Sequence, residues 1–322
     1  MSGAIVITGG CGFLGAALAR KIAQHGVTLP DGRRLSNPQL HLWDVAGTPP
    51  PELETATFVS IDIADVEAVE RQMPADVALV YHLAAVVSGQ AEADYDLGMR
   101  VNLGGTNAVL AAAKARGPQT CVVGTSSLAV YGHNAVEPLT EATPIQPRNT
   151  YGVTKAMAEL VMADYRRRSW CDARTLRLPT VTVRPGKPNA AASSFVSSIM
   201  REPLAGEAAI CPVDPALKMW IASPQAAVDA LHHAPSVSAA DWPAFGAVNV
   251  PGLQVSVGKM LEALRVRMGD AVADRVTMAA ICASGAIVET WPSRFDTSVA
   301  KALGFQGDDS FNAILDQALR IR

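Results

Sequence analysis

Tyr151 and Lys155 are the two residues of this chain best suited to proton transfer from an alcohol. They stand four residues apart in a stretch predicted to be helical, so their side chains share one face. A free tyrosine titrates near pH 10 (about three units above neutrality) and is a poor base at pH 7. A neighbouring ammonium favours the phenolate and lowers its pKa. The pair therefore predicts a tyrosine that acts as a catalytic base.

Two serines supply the group that such a base needs beside it. Ser126 and Ser127 follow the fifth predicted strand, 119–125, at its carboxyl end. A serine hydroxyl at this position can hold the substrate oxygen that loses its proton. A Tyr-x-x-x-Lys pair alone is common by chance, and the serines make the pattern more specific.

A glycine-rich turn near the start of the chain has the spacing of a dinucleotide site. It lies between the apolar run 4–7 and the helical stretch 16–22. Gly9 permits a tight turn, Gly12 permits close approach of a pyrophosphate, and Gly15 permits close packing of helix on strand. The first N–H groups of the helix then face the phosphates. The alternative is a glycine turn without a ligand.

Asp44 ends the second predicted strand, 39–43, and indicates which dinucleotide is bound. Its carboxylate can accept hydrogen bonds from the ribose hydroxyls and would repel a 2′-phosphate, which favours NAD over NADP. The distance from the glycines exceeds the usual spacing of about 20 residues, and the polar loop 27–38 accounts for the excess. The alternative role for Asp44 is that of a cap or turn residue.

The elements that must position these residues alternate between strand and helix. We predict an α/β fold with a Rossmann-type doubly wound parallel sheet and a smaller C-terminal substrate-binding lobe. The predicted domains are 1–178, with 223–250 returning to it, and a second lobe formed by 179–222 and 251–322. Predicted strands are 4–7, 39–43, 57–61, 77–83, 119–125, 173–178 and 247–250, and predicted helices are 13–25, 65–72, 95–116, 149–168, 223–233, 256–267 and 308–320.

Composition excludes several classes of protein. The 322 residues are 49% hydrophobic and 18% charged with a net charge of −3, which argues against disorder and a nucleic-acid surface. The five cysteines lack a Cys-x-x-Cys pair, and the histidines lack metal-ligand spacing, so we predict reduced thiols and no metal. No apolar run reaches membrane-spanning length and no signal peptide is evident. We therefore predict a cytoplasmic protein without nucleic-acid or membrane partners.

These motifs, in this order, resemble those of the extended short-chain dehydrogenase/reductase superfamily over roughly the first 180 residues. The matching pieces are Thr8 to Gly15, Asp62-Ile63, His82-Leu83-Ala84-Ala85, Asn102, Ser126 to Gly132, and Tyr151 to Lys155. The resemblance implies a Ser/Tyr/Lys catalytic set in which Ser127 matches the catalytic hydroxyl and Ser126 is the alternative. It implies NAD contacts from Gly9, Gly12, Phe13, Leu14, Gly15, Asp44, Asp62, Ile63, Leu83, Ala84, Ala85, Asn102, Tyr151, Lys155 and Pro179. We expect His82 to be structural, satisfied by backbone groups.

The segment from Leu176 to Phe195, with Trp220 and Trp291 to Asp296, is similar to the sugar-acid dehydrogenases of this superfamily. These oxidise C2 of a four-carbon sugar acid to a 2-oxo acid. Arg184 could hold the substrate carboxylate by a bidentate pair. Alternatively it neutralises a structural acid, and the serines of this segment cap a helix. The predicted substrate contacts are Ser126, Ser127, Tyr151, Thr180, Arg184, Asn189 and Ser193.

Other functions on the same frame are left open by the sequence. A sugar-nucleotide epimerase or an L-threonine dehydrogenase would share the first half of the chain. A non-catalytic nucleotide sensor is a further alternative, although such proteins commonly lose the tyrosine or the lysine. The resemblance also implies a homodimer built from the helices predicted at 95–116 and 149–168.

Overall fold

A seven-stranded, all-parallel sheet forms the centre of the molecule. The computed structural model describes residues 3–132, 136–186, 189–280 and 283–320. The strands of the described chain are β1 (Ala4–Thr8), β2 (Val27–Thr28), β3 (Arg34–Leu35), β4 (Gln39–Asp44), β5 (Thr57–Ser60), β6 (Val77–His82), β7 (Cys121–Ser127), β8 (Asp172–Leu178), β9 (Thr180–Val181), β10 (Ala209–Cys211), β11 (Lys218–Ala222), β12 (Ala247–Asn249), β13 (Leu253–Ser256) and β14 (Val276–Met278). The order in the main sheet is β12-β8-β7-β6-β1-β4-β5. This confirms the predicted doubly wound α/β fold, with the strand order reversing between β1 and β6.

Helices cover both faces of this sheet. The α-helices of the whole described chain, in the main sheet's layers and elsewhere, are α1 (Phe13–His25), α2 (Val66–Gln72), α3 (Ser88–Ala93), α4 (Tyr95–Gly98), α5 (Gly105–Arg116), α6 (Thr150–Arg167), α7 (Ser194–Ala205), α8 (Pro224–His233), α9 (Val257–Met268), α10 (Asp270–Ala273), α11 (Ala283–Glu289), α12 (Ser298–Ala302) and α13 (Phe311–Arg320). A π-helical segment, Met99–Gly104, joins α4 to α5, so the helix predicted at 95–116 is continuous. Such segments often occur at functional sites.

The alternation of side chains along β1 explains why two layers of helices are needed. Ile5 and Ile7 point to a cluster shared with α1 and α8, whereas Val6 points to a cluster shared with α2 and α5. All three side chains are fully buried. A strand that is apolar on both faces is stable only when helices cover both.

The second half of the chain builds a smaller lobe with its own apolar cluster. Strands β9, β11 and β13 form one small sheet there, and β10 pairs with β14. Helices α7, α9 and α13 contribute Phe195, Ile199, Met260 and Ile314 to the cluster. The sequence did not predict β10, β11, β13 or β14, and it indicated α7 only through the alternative in which the serines of this segment cap a helix.

Between these parts the chain returns to the main sheet. Strand β12 pairs in parallel with β8, and α8 packs in the same cluster as α1. Ala300 and Phe305, from the range that the sequence assigned to the second lobe, also pack in that cluster. None of the described helices is long and apolar enough to cross a bilayer.

Candidate active site

A cavity of about 650 Å³ opens at the carboxyl edge of the main sheet and extends to the smaller lobe. Ligands of open α/β sheets bind at this edge. With one exception, Asn102, every residue predicted for the site lines the cavity. These residues are Gly9, Gly12, Phe13, Leu14, Gly15, Asp44, Asp62, Ile63, Leu83, Ala84, Ala85, Ser126, Ser127, Tyr151, Lys155, Pro179, Thr180, Arg184, Asn189 and Ser193.

The glycine turn brings α1 against β1 with no room for side chains. Gly9 has a positive φ of 69°, which a residue with a side chain rarely adopts. A Cβ on Gly15 would lie 2.2 Å from the Gly9 carbonyl oxygen. Gly12, which precedes α1, provides no side-chain cap, so the first-turn amides of this 13-residue helix are left for a ligand on the cavity side. The cradle fits the pyrophosphate of NAD.

Asp44 and Asp62 place two carboxylates on the wall of the cavity. The Asp44 carboxylate accepts hydrogen bonds from the backbone amides of Cys11 (3.1 Å) and Val45 (2.9 Å). Asp44 therefore fixes the turns after β1 and β4, and it lines the cavity as well. Asp62 accepts a hydrogen bond from Arg100 at 2.7 Å.

A buried chain of hydrogen bonds ties the cavity wall together through His82. Its Nδ1 lies 2.9 Å from Thr8 Oγ1, and its Nε2 lies 3.0 Å from Thr106 Oγ1. Thr8 Oγ1 accepts from the amides of Leu83 and Ala84, both at 3.1 Å. Burial and the Lys155 charge lower the pKa of His82 to about 3, so the ring is neutral. Its role is structural, as predicted, although its partners are hydroxyls and not backbone groups.

The donor and acceptor of each hydrogen bond around His82 can be assigned from the one hydroxyl whose donation is fixed, that of Thr106. The Thr106 hydroxyl donates to the Asn102 carbonyl at 2.6 Å, so it must accept from His82 Nε2. The ring therefore carries its proton on Nε2, and Nδ1 accepts from the Thr8 hydroxyl. The Thr8 hydroxyl is then free to accept both wall amides. One neutral tautomer satisfies every member of the chain.

Asn102 lies behind the cavity wall, not on its surface. Its side chain accepts from the Val86 amide (2.7 Å) and donates to the Val86 carbonyl (3.1 Å) and to Thr154 Oγ1 (3.2 Å). Thr154 in turn donates to the Tyr151 carbonyl at 3.0 Å. The residue predicted to contact the cofactor thus positions Val86 and the first turn of α6, both of which border the cavity.

The start of α6 sets the position of Tyr151. Asn149 caps the helix by accepting from the Gly152 amide at 2.8 Å. A Cβ on Gly152 would lie 2.5 Å from the Ala129 carbonyl oxygen, so the helix rests directly on the turn after β7. This contact brings the phenol of Tyr151 near the Ser127 hydroxyl, which lowers the pKa of the phenol.

Ser126 and Ser127 differ because side chains alternate along a strand. Ser127 lies near the Tyr151 phenol and accepts a hydrogen bond from the Ala129 amide at 3.2 Å. Ser126 is 3% exposed, and its hydroxyl has no hydrogen-bond partner among the described residues. The geometry therefore pairs the proposed base with Ser127.

Lys155 lies beside Tyr151, as the helical spacing predicted, and its hydrogen bond goes to the backbone of β7. Its Nζ donates to the Thr125 carbonyl at 2.8 Å and lies 5.8 Å from the centre of the Tyr151 ring. Burial raises the pKa of Tyr151 to about 12, while the charge of Arg184 and the neighbouring Ser127 hydroxyl oppose this increase. Arg184, 33 residues away in sequence, is thus a second cation near the phenol.

Arg184 enters the cavity wall from the loop between β9 and α7. Its backbone is fixed by Ser197, which accepts from its amide at 3.0 Å, and by Arg201, which donates to its carbonyl at 2.9 Å. Its guanidinium takes part in none of the ion pairs among the described residues. Burial and the charge of Arg201 lower its pKa. A half-buried cation of this kind favours an anionic ligand.

The polar residues beside Arg184 shape this loop. Asn189 accepts from the Ala191 amide at 3.1 Å, and its own amide donates to Ser194 Oγ at 3.3 Å. Ser193 precedes α7 and makes no side-chain capping bond. The alternative prediction that Ser193 caps this helix is therefore wrong.

Several cavity residues were not predicted as site residues. Arg100 lines the cavity and forms an ion pair with Asp62, and Trp43, which precedes Asp44 in β4, also lines the cavity. Trp291 lines the far side, and its buried indole N–H has no partner among the described residues. The sequence singled out the Trp291 motif, but nothing in it indicated that the ring would reach the cavity.

Comparisons with known proteins agree with this geometry. The sequence profile described as "NAD dependent epimerase/dehydratase family" matches residues 5–220. The chain is 46% identical over 311 residues to a D-erythronate dehydrogenase of Cupriavidus necator, covering 97% of this chain and 96% of the relative. It is 38% identical over 315 residues to a D-erythronate dehydrogenase of Haemophilus influenzae, covering 97% and 98%.

The fold also matches a solved structure over nearly its whole length. The crystal structure described as a nucleoside-diphosphate-sugar epimerase from Agrobacterium tumefaciens has a TM-score of 0.90 at 33% identity, covering 99% of this chain and 94% of that one. Fold, cavity and sequence similarity lead to one assignment: the chain belongs to the NAD dependent epimerase/dehydratase family.

Proposed function

We propose that this chain is an NAD-dependent dehydrogenase that oxidises the C2 hydroxyl of a small sugar acid, D-erythronate, to the 2-oxo acid. The observation that carries the proposal is one cavity lined by Tyr151, Ser127, the glycine turn and Arg184, whose guanidinium forms no ion pair with the described residues. Two relatives of nearly equal length, each named D-erythronate dehydrogenase, support this choice of substrate.

Each residue of the cavity has a separate role in the proposed reaction. Ser127 holds the C2 hydroxyl, and Tyr151 takes its proton at the phenolic oxygen. The first-turn amides of α1, with Asp44 and Asp62, hold NAD, which supplies the electron acceptor when bound. Lys155, anchored on Thr125, contributes positive charge at the same end of the cavity.

Arg184 explains why an acid is preferred to a neutral sugar. A guanidinium donates two parallel hydrogen bonds to a carboxylate, which fixes orientation as well as charge. The same cation favours the Tyr151 phenolate. Substrate recognition and activation of the base therefore depend on one side chain.

The experiment that tests the proposal measures NADH formation by the purified protein. The panel contains D-erythronate, other four-carbon and three-carbon 2-hydroxy acids, the neutral polyol erythritol, L-threonine and a UDP-sugar. We expect NADH with D-erythronate and none with the last three. Tyr151→Phe should reduce kcat by roughly 10²–10⁴-fold while NAD binding is retained. Turnover of threonine, or a fully active Tyr151→Phe, would refute the proposal.

We also propose a homodimer formed by the continuous helix 95–116 and α6. Two apolar side chains on α6, Met157 and Leu160, are 37% and 64% exposed, and Tyr95 at the start of the other helix is 58% exposed. A second copy would cover them. Light scattering should give twice the 33.7 kDa chain mass, and Leu160→Glu should shift it to the monomer. Cytoplasmic location stays a prediction.

A further inference from the structure

A buried ion pair lies next to the active site and takes no direct part in the chemistry proposed above. The Glu159 and Arg177 side chains are 6% and 7% exposed. They are joined by three hydrogen bonds, at 2.6, 2.9 and 3.1 Å. Arg177 also donates to the Tyr131 hydroxyl at 2.5 Å, and that hydroxyl donates to Asn249 at 2.7 Å. The Arg177 guanidinium thus holds the Glu159 carboxylate, and Tyr131 in turn accepts a hydrogen bond from that guanidinium.

The position of this pair relative to Lys155 is fixed by two regular elements. Glu159 follows Lys155 by four residues on α6, so the two side chains are neighbours on one helix face. Arg177 on β8 stands opposite Ser126 in the parallel register of β7. The preceding residue of β7, Thr125, accepts the hydrogen bond of Lys155. Lys155, Glu159 and Arg177 therefore gather at the ends of β7 and β8.

Lys155 needs such a neighbour because it is a buried cation. Lys155 is only 6% exposed. Burial lowers the pKa of its ammonium to about 8, and the charge of the Glu159 carboxylate opposes this decrease. Replacing a buried ion pair by apolar residues is often neutral for stability. Stability alone therefore gives no reason for the pair to be there.

We propose that Glu159 is a positioning residue that keeps the Lys155 ammonium protonated beside Tyr151, and that Arg177 holds the Glu159 carboxylate in place for this role. The inference rests on the proposed function, in which the charge of Lys155 serves the tyrosine. The other titratable groups around Lys155 are Tyr151 on the same helix, His82 on β6 and Arg184 near the phenol. His82 is neutral, so among the residues facing Lys155 the anion is Glu159.

The two halves of the ion pair predict shifts of opposite sign. In Glu159→Gln an unpaired Arg177 cation remains, so Lys155 should lose its proton at lower pH. In Arg177→Met an unpaired carboxylate remains, so Lys155 should lose its proton at higher pH. At an effective dielectric constant of about 20, each shift should be about one pH unit. A pair with a purely structural role would not move the two variants in opposite directions.

Ionisation of Lys155 can be read without turnover. The full-length protein is labelled with trace acetic anhydride from pH 6 to 10, and the acetylated Lys155 peptide is quantified by mass spectrometry. Asp164→Asn is the matched control, because it makes the same charge change on α6, nine residues and about 13 Å along the helix from Lys155. We expect its curve to match the wild type.

The alkaline limb of the rate of NADH formation should shift with the labelling curve. Unshifted curves, or shifts of one sign in both variants, would overturn the proposal. If Glu159→Gln does not fold, Arg177→Met and the double variant decide. The proposal is supported if the midpoint pH of Lys155 labelling rises in Arg177→Met and returns toward the wild-type value in the double variant. Equal midpoints in the two variants overturn the proposal. Absence of NADH formation by the wild type would refute the proposed function and leave the labelling result standing.

Discussion

Gly15→Ala tests whether the close approach of α1 to β1 holds the cofactor. The added Cβ would lie 2.2 Å from the Gly9 carbonyl oxygen and 2.8 Å from Gly10 Cα, where ordinary contacts begin at 3.4 Å. Both neighbours are backbone atoms of the turn, so neither can rotate away. The helix start must recede by about 1 Å, and overpacking of this kind costs about 1–3 kcal/mol of unfolding free energy.

The same displacement should weaken cofactor binding. The first-turn amides of α1 would move away from the pyrophosphate, and a hydrogen bond to a charged group contributes about 1.5–3 kcal/mol. The Kd for NAD should therefore rise roughly 10- to 100-fold by titration calorimetry, with a lower Tm.

Gly104→Ala is the matched control for this variant. Gly104 has helical backbone angles, and a Cβ there would approach nothing closer than the Met99 carbonyl oxygen at 3.8 Å. It should stabilise the protein by about 0.5–1 kcal/mol and leave NAD affinity unchanged. An unaltered Kd in Gly15→Ala would refute the reasoning about the cradle.

Three further predictions concern the wall, the substrate and the pH dependence. Thr8→Val leaves the Ala84 amide without its acceptor, while the Leu83 amide keeps the Thr8 carbonyl, and should lower the free energy of unfolding in urea by about 1–3 kcal/mol; Thr8→Ser should not. Arg184→Met should lower kcat/KM for the sugar acid roughly 10²-fold with an unchanged Kd for NAD, and an unchanged kcat/KM would exclude its role in recognition. Because burial raises the pKa of Tyr151 to about 12, the phenol is protonated at neutrality, so oxidation should accelerate from pH 6 to 8 while reduction of the 2-oxo acid should not; a flat oxidation profile would contradict this.

The main sheet could be predicted because its strands are buried on both faces. The first strand is apolar from Ala4 to Ile7 and fully buried, and the glycine turn after it marks where a helix must start. The smaller lobe could not be predicted in the same way. Its strands have two to five residues, for example Ala209–Cys211, and so short a run carries no periodicity that separates strand from loop.

The sequence predicted most of the residues that line the site, but it did not predict all of the charged groups that lie near the Tyr151 phenol. Spacing along one helix predicted that Lys155 lies beside Tyr151, but it did not predict the hydrogen bond of Lys155 to the Thr125 carbonyl. The second cation near the phenol, Arg184, comes from the smaller lobe. Contacts between distant segments of this kind leave no pattern in a single sequence.

The polypeptide leaves the main sheet after Leu178 and supplies its seventh strand only at Ala247. A hybrid enzyme spliced once, just after Leu178, would take β12 and α8 from one parent and the surfaces that receive them from the other. Exchange of substrate preference between relatives therefore calls for at least two grafts, one before α8 and one after β12. Swapping the C-terminal half as one block would place the mismatch inside the core, where it would reduce folding before selectivity could be measured.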